Sequence, residues 1–161
     1  MNAVFWLLTE QHQVPNHGTE LAQTQNVSAL VHYACVLTAD LYRQNKKLLL
    51  LSDDQEQAQV IDEWLWQFEA NRFVPHNLPG EGPHYGTPVE INWQPSSQRR
   101  PCIVNLCQSL PDYMNQLKGV NEWHDFVPAD EQGKTLARER YKQLKQLGFQ
   151  ITTNPIPESI V

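Results

Sequence analysis

The stretch KLLLLS, residues 47–52, decides the class of the fold. Its four consecutive leucines show no alternation between apolar and polar residues, so an extended strand here would be covered on both of its faces. Strands of that kind are typical of parallel sheets that have helices on either side. The stretch therefore predicts an interior strand of an α/β protein.

Segments of extended and helical pattern alternate on both sides of this strand. The predicted strands are residues 3–9, 47–52, 87–93, 102–106 and 122–127, and residues 149–153 are expected to close the sheet. The predicted helices are residues 28–44, 53–69, 109–118 and 130–147. This order predicts a three-layer α/β/α sandwich with a mostly parallel central sheet. We expect one domain over residues 1–161, with a loosely ordered tail from 154 to 161.

Length, charge and cysteine content narrow the class of protein. The chain has 161 residues, a net charge of −6 and a pI near 5.4, which argues against broad coating of nucleic acid, because such binding depends on many Lys and Arg residues. No apolar run reaches the roughly 20 residues of a membrane span, and residues 1–9 lack the features of a signal peptide. Three cysteines fit reduced thiols. The sequence predicts a cytoplasmic protein with no membrane association.

Motifs for catalysis and cofactor binding are missing from the sequence. It contains no GxxxxGK[ST], and no GxGxxG follows the first strand, so the sheet is predicted to be Rossmann-like without a phosphate-binding loop. The pair Gly80 and Gly82 lies between prolines and reads as a turn. The six histidines lack metal-ligand spacing, and no GxSxG surrounds a serine. We expect no catalytic residue, cofactor or metal, although an α/β enzyme with a convergent site stays an alternative.

Trp66 does not fit the apolar stripe of the second predicted helix. At 100 degrees per residue it projects away from the arc formed by Ile61, Trp64 and Leu65. A large apolar group off the core face is a candidate contact site. A Trp that lies against a neighbouring loop is an equally good interpretation.

The last predicted helix concentrates positive charge on an otherwise acidic chain. Lys134, Tyr141, Lys142 and Lys145 project within about 60 degrees of Arg138. A solvated face, a direct nucleic-acid surface and a seat for an acidic peptide are all open interpretations. An acidic peptide with a hydrophobic end would also use an apolar floor, which Val127 before the helix could supply.

The opposite side of the same helix is expected to meet the core. It carries Leu136, Ala137, Leu144 and Leu147. Arg140 projects among these apolar residues, so we expect it to extend along them or to pair internally. Its predicted role is structural, unlike that of Arg138.

Two long blocks resemble one known family. FVPHNLPGEGP followed by GTPVEINW, and DFVP followed by LARERYK and GF, are similar to the chi subunit of bacterial DNA polymerase III, an accessory subunit of the clamp-loader complex. The resemblance spans nearly the whole chain. It implies a noncatalytic adaptor with an α/β fold, which forms a heterodimer with the psi subunit and binds the acidic C-terminal tail of single-stranded DNA-binding protein.

The resemblance also assigns residues to these two partners. Around DFVP and LARERYK, the tail-binding site would consist of Val127, Lys134, Arg138, Tyr141 and Lys142. The surface for psi would include Trp66 and Phe73. DNA would be reached only through the protein that coats it. Whether a repair helicase shares the psi surface is left open by the resemblance.

Overall fold

The computed structural model describes residues 1–9, 28–67, 75–79, 87–94, 99–117 and 119–156. The strands in this part of the chain are β1 (Asn2–Leu7), β2 (Leu48–Leu51), β3 (His76–Asn77), β4 (Val89–Asn92), β5 (Cys102–Asn105), β6 (Glu122–Val127) and β7 (Gln150–Pro155). The helices are α1 (Ala29–Arg43), α2 (Gln55–Gln67) and α3 (Glu131–Gln146), with a 3-10 turn at Met114–Gln116. None of these helices has the length and apolar character needed to cross a bilayer.

The strands form one sheet in the order β3-β4-β2-β5-β6-β1-β7, and every pairing among the described residues is parallel. Helices α1 and α2 pack on one face, whereas α3 and the segment around the 3-10 turn pack on the other. The predicted three-layer α/β/α sandwich is confirmed. Because all strands are parallel, their carboxyl ends share one edge of the sheet.

Strand β2 explains why the leucine run is so informative. It pairs with β4 on one side and β5 on the other, and all four of its leucines are fully buried. Leu48 and Leu50 contribute to the core beneath α1 and α2, and Leu49 and Leu51 to the core beneath α3. One short strand thus holds two hydrophobic cores together, which requires apolar side chains in succession.

Two expectations about secondary structure need correction. The helix predicted over residues 109–118 reduces to the 3-10 turn, because so short a segment gains little from helix formation and follows the packing of its neighbours. The sequence predicts that the C-terminal segment of this chain is loosely ordered from residue 154. Instead Asn154 and Pro155 complete β7, whose six residues pair with β1, and Ile156 is buried. Residues 157–161 lie outside the described part of the chain.

Candidate protein-interaction surfaces

Helix α3 begins at the carboxyl edge of the sheet and returns to the opposite edge. Its N-terminus is capped by Asp130, whose carboxylate accepts a hydrogen bond of 2.8 Å from the backbone N–H of Gly133. Its C-terminus is closed by Gly148, at φ +95°, where a residue without Cβ avoids strain. Both ends are therefore fixed by local sequence, which holds the charged face of α3 in a defined position.

The cations of α3 project away from the core. Arg138 is exposed, and it has no ion pair or hydrogen bond from its side chain to any described residue. Lys134 lies 3.7 Å from Glu131, and Lys142 lies 3.7 Å from Glu139, each three residues apart along the helix. Exposed pairs of this kind contribute about 0 to 1 kcal/mol. A competing carboxylate could therefore displace them at little cost.

Tyr141 and Val127 supply the apolar part of this region. The ring of Tyr141 packs on Phe5 of β1, with 5.6 Å between the ring centroids. Val127, the last residue of β6, is partly buried beside the same core and lies in register with Leu7 of β1. The structure thus brings Val127 and Tyr141 to the same face of the sheet as the cations of α3. Sequence reasoning overlooked Leu7, although the alternation of β1 puts it on this face.

Arg140 faces the opposite way from Arg138. Its side chain is buried, and its Nε donates to both carboxylate oxygens of Asp125, at 3.1 and 3.2 Å. Nη1 donates to the carbonyl of Gln108 at 2.6 Å, and Nη2 donates to that of Phe126 at 2.9 Å. The expected internal pairing of Arg140 is confirmed. Burial raises the pKa of the Asp125 carboxyl, whereas the charge of Arg140 opposes that rise.

Leu147 departs from its predicted place in the core. It follows the last turn of α3 and is 49% exposed, because the chain has already begun to turn toward β7. Ala137 and Leu144 are buried as expected, and Leu136 is partly buried. The core-facing side of α3 is consequently narrower than its sequence indicates.

A second candidate surface lies on the other face of the sheet, at α2. Trp66 is 52% exposed, as its position off the core stripe predicts. Its ring lies 4.8 Å from that of His76 in the edge strand β3, and His76 Nε2 lies 3.2 Å from a carboxylate oxygen of Asp62. Phe73, the other residue predicted here, lies outside the described residues.

The two surfaces are well separated in the fold. Trp66 belongs to the layer of α1 and α2, near the end of the sheet formed by β3 and β4. The cations of α3 belong to the other layer, near the end formed by β6, β1 and β7. Two partners could therefore bind at once without contacting each other.

The carboxyl edge of the sheet contains a crevice of about 560 Å³, where α/β proteins often bind ligands. The N-termini of α1 and α3 border it, yet Ser28 and Asp130 already cap them. Arg140 also lines the crevice, but its guanidinium is engaged by Asp125 and two carbonyls. Because side chains already cap both helix N-termini and the buried guanidinium is already paired, the described part of the crevice offers few free donors to a phosphate group.

One cluster has the composition of a metal site. Cys102, Glu122 and His124 place their ligand atoms within 4.8 Å of one another. The indole N–H of Trp6 donates to His124 Nδ1 at 3.0 Å, so the ring hydrogen belongs on Nε2, which lies 2.9 Å from Glu122. A metal on Nε2 would have to displace that hydrogen while Nδ1 remains an acceptor. The geometry favours a hydrogen-bond network centred on Glu122.

Lys46 completes this network from the other side. Its Nζ donates to both oxygens of Glu122, at 2.7 and 2.9 Å, and Cys102 Sγ lies 3.1 Å from the same carboxylate. The hydrogen bond from His124 and those from Lys46 and Cys102 lower the pKa of Glu122 to about 2, although burial opposes this. The cluster ties β5 and β6 to the connection between α1 and β2.

Comparisons with known proteins identify relatives that match most of the chain. The family model described as "DNA polymerase III chi subunit, HolC" matches residues 2–152. A protein of Haemophilus influenzae named DNA polymerase III subunit chi is 43% identical over 136 residues, which cover 83% of this chain and 92% of that protein. The Escherichia coli K12 protein of the same name is 39% identical over 154 residues, which cover 94% and 96%.

A solved structure shows a related arrangement of strands and helices. The crystal structure of T4 UvsW superimposes with a TM-score of 0.57 at 8% sequence identity. The superposition covers 97% of this chain and 41% of that longer chain. At so low an identity the likeness concerns the fold alone.

Proposed function

Because this chain belongs to the DNA polymerase III chi subunit family, we propose that it is a replication adaptor. In this role it joins the clamp loader, through the psi subunit, to the acidic C-terminal tail of single-stranded DNA-binding protein. The adaptor has no catalytic step of its own, and it works in the cytoplasm, where the replication machinery meets coated DNA.

The observation that carries the tail-binding assignment is the exposure of the Arg138 side chain, together with its position between two lysines. Its guanidinium is exposed, has no ion pair among the described residues and lies between two weakly paired lysines of the same helix face. A planar guanidinium binds a carboxylate through two parallel hydrogen bonds. Lys134 and Lys142 would add the charge that a run of acidic residues requires. Local positive charge on a chain of net charge −6 favours a small acidic partner over a long polyanion.

Val127 and Tyr141 support the same assignment from the apolar side. Tyr141 is held in place by Phe5, so its ring is available without loss of side-chain freedom on binding. Val127 is half-buried at the end of β6. We propose that hydrophobic residues at the end of the tail contact these two side chains.

We assign the psi subunit to the surface around Trp66, and the family resemblance adds Phe73 to the residues that would contact it. Trp66 is more than half exposed, and interface centres are enriched in Trp. Its position on the layer opposite α3 suits an adaptor, since psi and the tail would then bind independently. A repair helicase that used the Trp66 surface would compete with psi and leave the tail site available.

The test is a calorimetric titration of the tail peptide of single-stranded DNA-binding protein against wild type, Arg138→Ala and Lys47→Ala. Lys47 is exposed just before β2 and is not part of the proposed site, so Lys47→Ala is a matched control that removes the same charge elsewhere on the chain. Loss of a charge-assisted bidentate contact should weaken binding by at least about tenfold in Arg138→Ala. Lys47→Ala should bind like wild type.

The dependence of peptide affinity on salt concentration provides a second test of the assignment. The contribution of Arg138 should shrink as salt rises, since exposed charges are screened at about 10 Å in 0.1 M salt. Equal affinity of wild type and Arg138→Ala at low salt would refute the assignment.

A further inference from the structure

The last strand of the sheet ends close to the proposed tail-binding site. Pro155, the final residue of β7, lies in register with Leu7 of β1, and Leu7 is aligned on its other side with Val127, a residue of that site. Ile156 follows and is buried with Leu8 at the carboxyl edge of the sheet. The chain therefore leaves the described part of the fold beside the proposed site.

The basic face of α3 lies on the flank of the helix that is nearer β7. Arg140 points toward β6, where it pairs with Asp125. Around the helix from Arg140, Tyr141 projects at about 100 degrees and Arg138 at about 160 degrees in the same sense. Tyr141 packs on Phe5 of β1, and α3 also packs on β7. The side chain of Arg138 is therefore turned from β6 toward β1 and β7.

Arg138 also matches the end of β7 in its position along the strands. Leu7 lies about 7 Å beyond Phe5 in the direction of the carboxyl edge. Helix α3 runs the opposite way, so Arg138, three residues before Tyr141, lies about 4.5 Å toward the same edge from the contact between Tyr141 and Phe5. Arg138 is consequently close to the level at which β7 ends.

The next residues, 157–161, have the sequence PESIV and lie outside the described residues. An acidic residue, Glu158, precedes two β-branched apolar residues, Ile160 and Val161. This order of acid and apolar residues is the chemistry that the proposed site is expected to bind. Five extended residues reach at most about 17 Å, which is enough to return from the end of β7 along more than two turns of α3. The family model matches residues 2–152 and assigns nothing to this segment.

We propose that residues 157–161 fold back onto the basic face of α3 and compete with the acidic tail for the proposed site. In this contact the carboxylate of Glu158 pairs with Arg138, and the two apolar side chains of the segment cover Tyr141 and Val127. The inference rests on the proposed function and adds to it an internal competitor, which lowers the affinity for the tail.

The size of the effect follows from the short connection between the segment and the site. A tether of a few residues gives an effective concentration in the millimolar range. A segment with one carboxylate binds weakly, with a Kd on the order of 1 mM, so the occupied state and the open state have similar populations. The apparent affinity for the tail falls in proportion to the open fraction. Removal of the segment should therefore strengthen tail binding by about two- to fivefold.

The experiment titrates the tail peptide of single-stranded DNA-binding protein by calorimetry into wild type and into a chain that ends at Ile156. The shortened chain keeps the whole of β7 and should bind about two- to fivefold more tightly. Glu158→Gln should give part of this gain. Glu56→Gln removes an exposed acid from α2 in the other layer and should bind like wild type. Urea unfolding checks that each variant is folded.

A competition experiment tests the same contact with the segment supplied as a separate molecule. The amidated peptide Pro-Glu-Ser-Ile-Val, added at about 1 mM to the shortened chain, should weaken tail binding by about twofold, back toward the wild-type value. In the Arg138→Ala background the shortening should have less effect, because the segment and the tail both use this guanidinium.

The outcomes separate the inference from the proposed function. If the shortened chain binds the tail like wild type or more weakly, while Arg138→Ala weakens binding in both chains, the internal contact is wrong and the proposed function stands. If wild type sediments as a dimer under the titration conditions and the shortened chain as a monomer, the segment binds a second copy, and the inference is again wrong. If Arg138→Ala changes the affinity of neither chain, the tail-binding function is refuted and the inference falls with it.

Discussion

Arg138 and Arg140 are the same residue type, two positions apart on one helix, and they should respond to mutation in opposite ways. Arg140→Met removes the charge but keeps an apolar stem that packs where the arginine stem lies. Asp125 would then be a buried carboxylate without its cation, retaining only hydrogen bonds from Asn105, Trp123 and the backbone of Phe126. The carbonyl of Gln108 would lose its bond from Nη1 as well.

The expected loss of stability follows from these contacts. Breaking a buried ion pair by removal of one partner costs about 3 to 5 kcal/mol, so the free energy of unfolding of Arg140→Met should fall by about 4 kcal/mol. That is a large fraction of the roughly 5 to 15 kcal/mol typical of a domain. Arg138→Ala removes an exposed side chain with no ion pair among the described residues, and it should change stability by less than about 0.5 kcal/mol.

Urea unfolding followed by tryptophan fluorescence measures both values, and the tail-peptide titration measures binding. Arg140→Met should lose stability and keep the affinity of its folded fraction, whereas Arg138→Ala should keep stability and lose affinity. Asp125→Asn in the Arg140→Met background should recover part of the loss, since no unpaired charge remains. The reasoning fails if the free energy of unfolding of Arg140→Met lies within about 1 kcal/mol of the wild-type value, since ordinary surface substitutions cause changes of that size.

Two further predictions concern other parts of the fold. The pKa of Glu122 is lowered to about 2 from 4.5, so the stability it contributes is present above pH 4.5 and lost as pH falls toward 2. Because Glu122 is partly exposed, the full effect of its pKa shift is reduced, and between pH 4.5 and pH 2 the free energy of unfolding of wild type should fall by about 2 kcal/mol more than that of Glu122→Gln. Urea unfolding at several pH values measures this difference, and the same dependence on pH in both proteins would contradict the network. Trp66→Ala and Phe73→Ala should each reduce copurification with psi and leave tail-peptide affinity unchanged, with Leu147→Ala as the exposed apolar control. Undiminished recovery of psi would show that the surface is wrong.

The sequence was most informative where one residue pattern allows one structure. Four leucines in succession require a strand covered on both faces, and β2 has that environment. The position of Trp66 off its helix stripe predicted that it lies outside the core, and the position of Arg140 among apolar residues predicted that it extends along them or pairs internally. In these cases the local periodicity alone decides which side of the element a residue occupies.

Predictions failed where tertiary neighbours decide the environment. In residues 87–93, Val89, Ile91 and Trp93 alternate with Glu90 and Asn92, a pattern that predicts a strand with one wetter face. In the structure, Glu90 and Asn92 of β4 are both buried. The reason is Arg100, distant in sequence, which lies buried near Glu90 and donates to the carbonyls of Leu48 and Pro88. No periodicity in β4 indicates such a partner.

The candidate interaction surface on α3 could be predicted only in part, because tertiary neighbours also decide which residues lie beside it. The cationic face of α3 follows from helical spacing. Leu7 reads in sequence as an ordinary core residue of β1, and its exposure depends on where α3 begins and β7 ends around it. Proximity of Val127, Leu7 and Pro155 becomes visible only from the strand order, which sequence reasoning did not provide.

The central claim is that this protein reaches DNA only through the tail of the protein that coats it. The most direct measurement is surface plasmon resonance on immobilised single-stranded DNA that is bare, coated with intact single-stranded DNA-binding protein, or coated with the same protein lacking its C-terminal tail. We predict binding to the intact coat alone, reduced at least about tenfold by Arg138→Ala. Equal binding to bare DNA or to the tail-less coat would contradict the account.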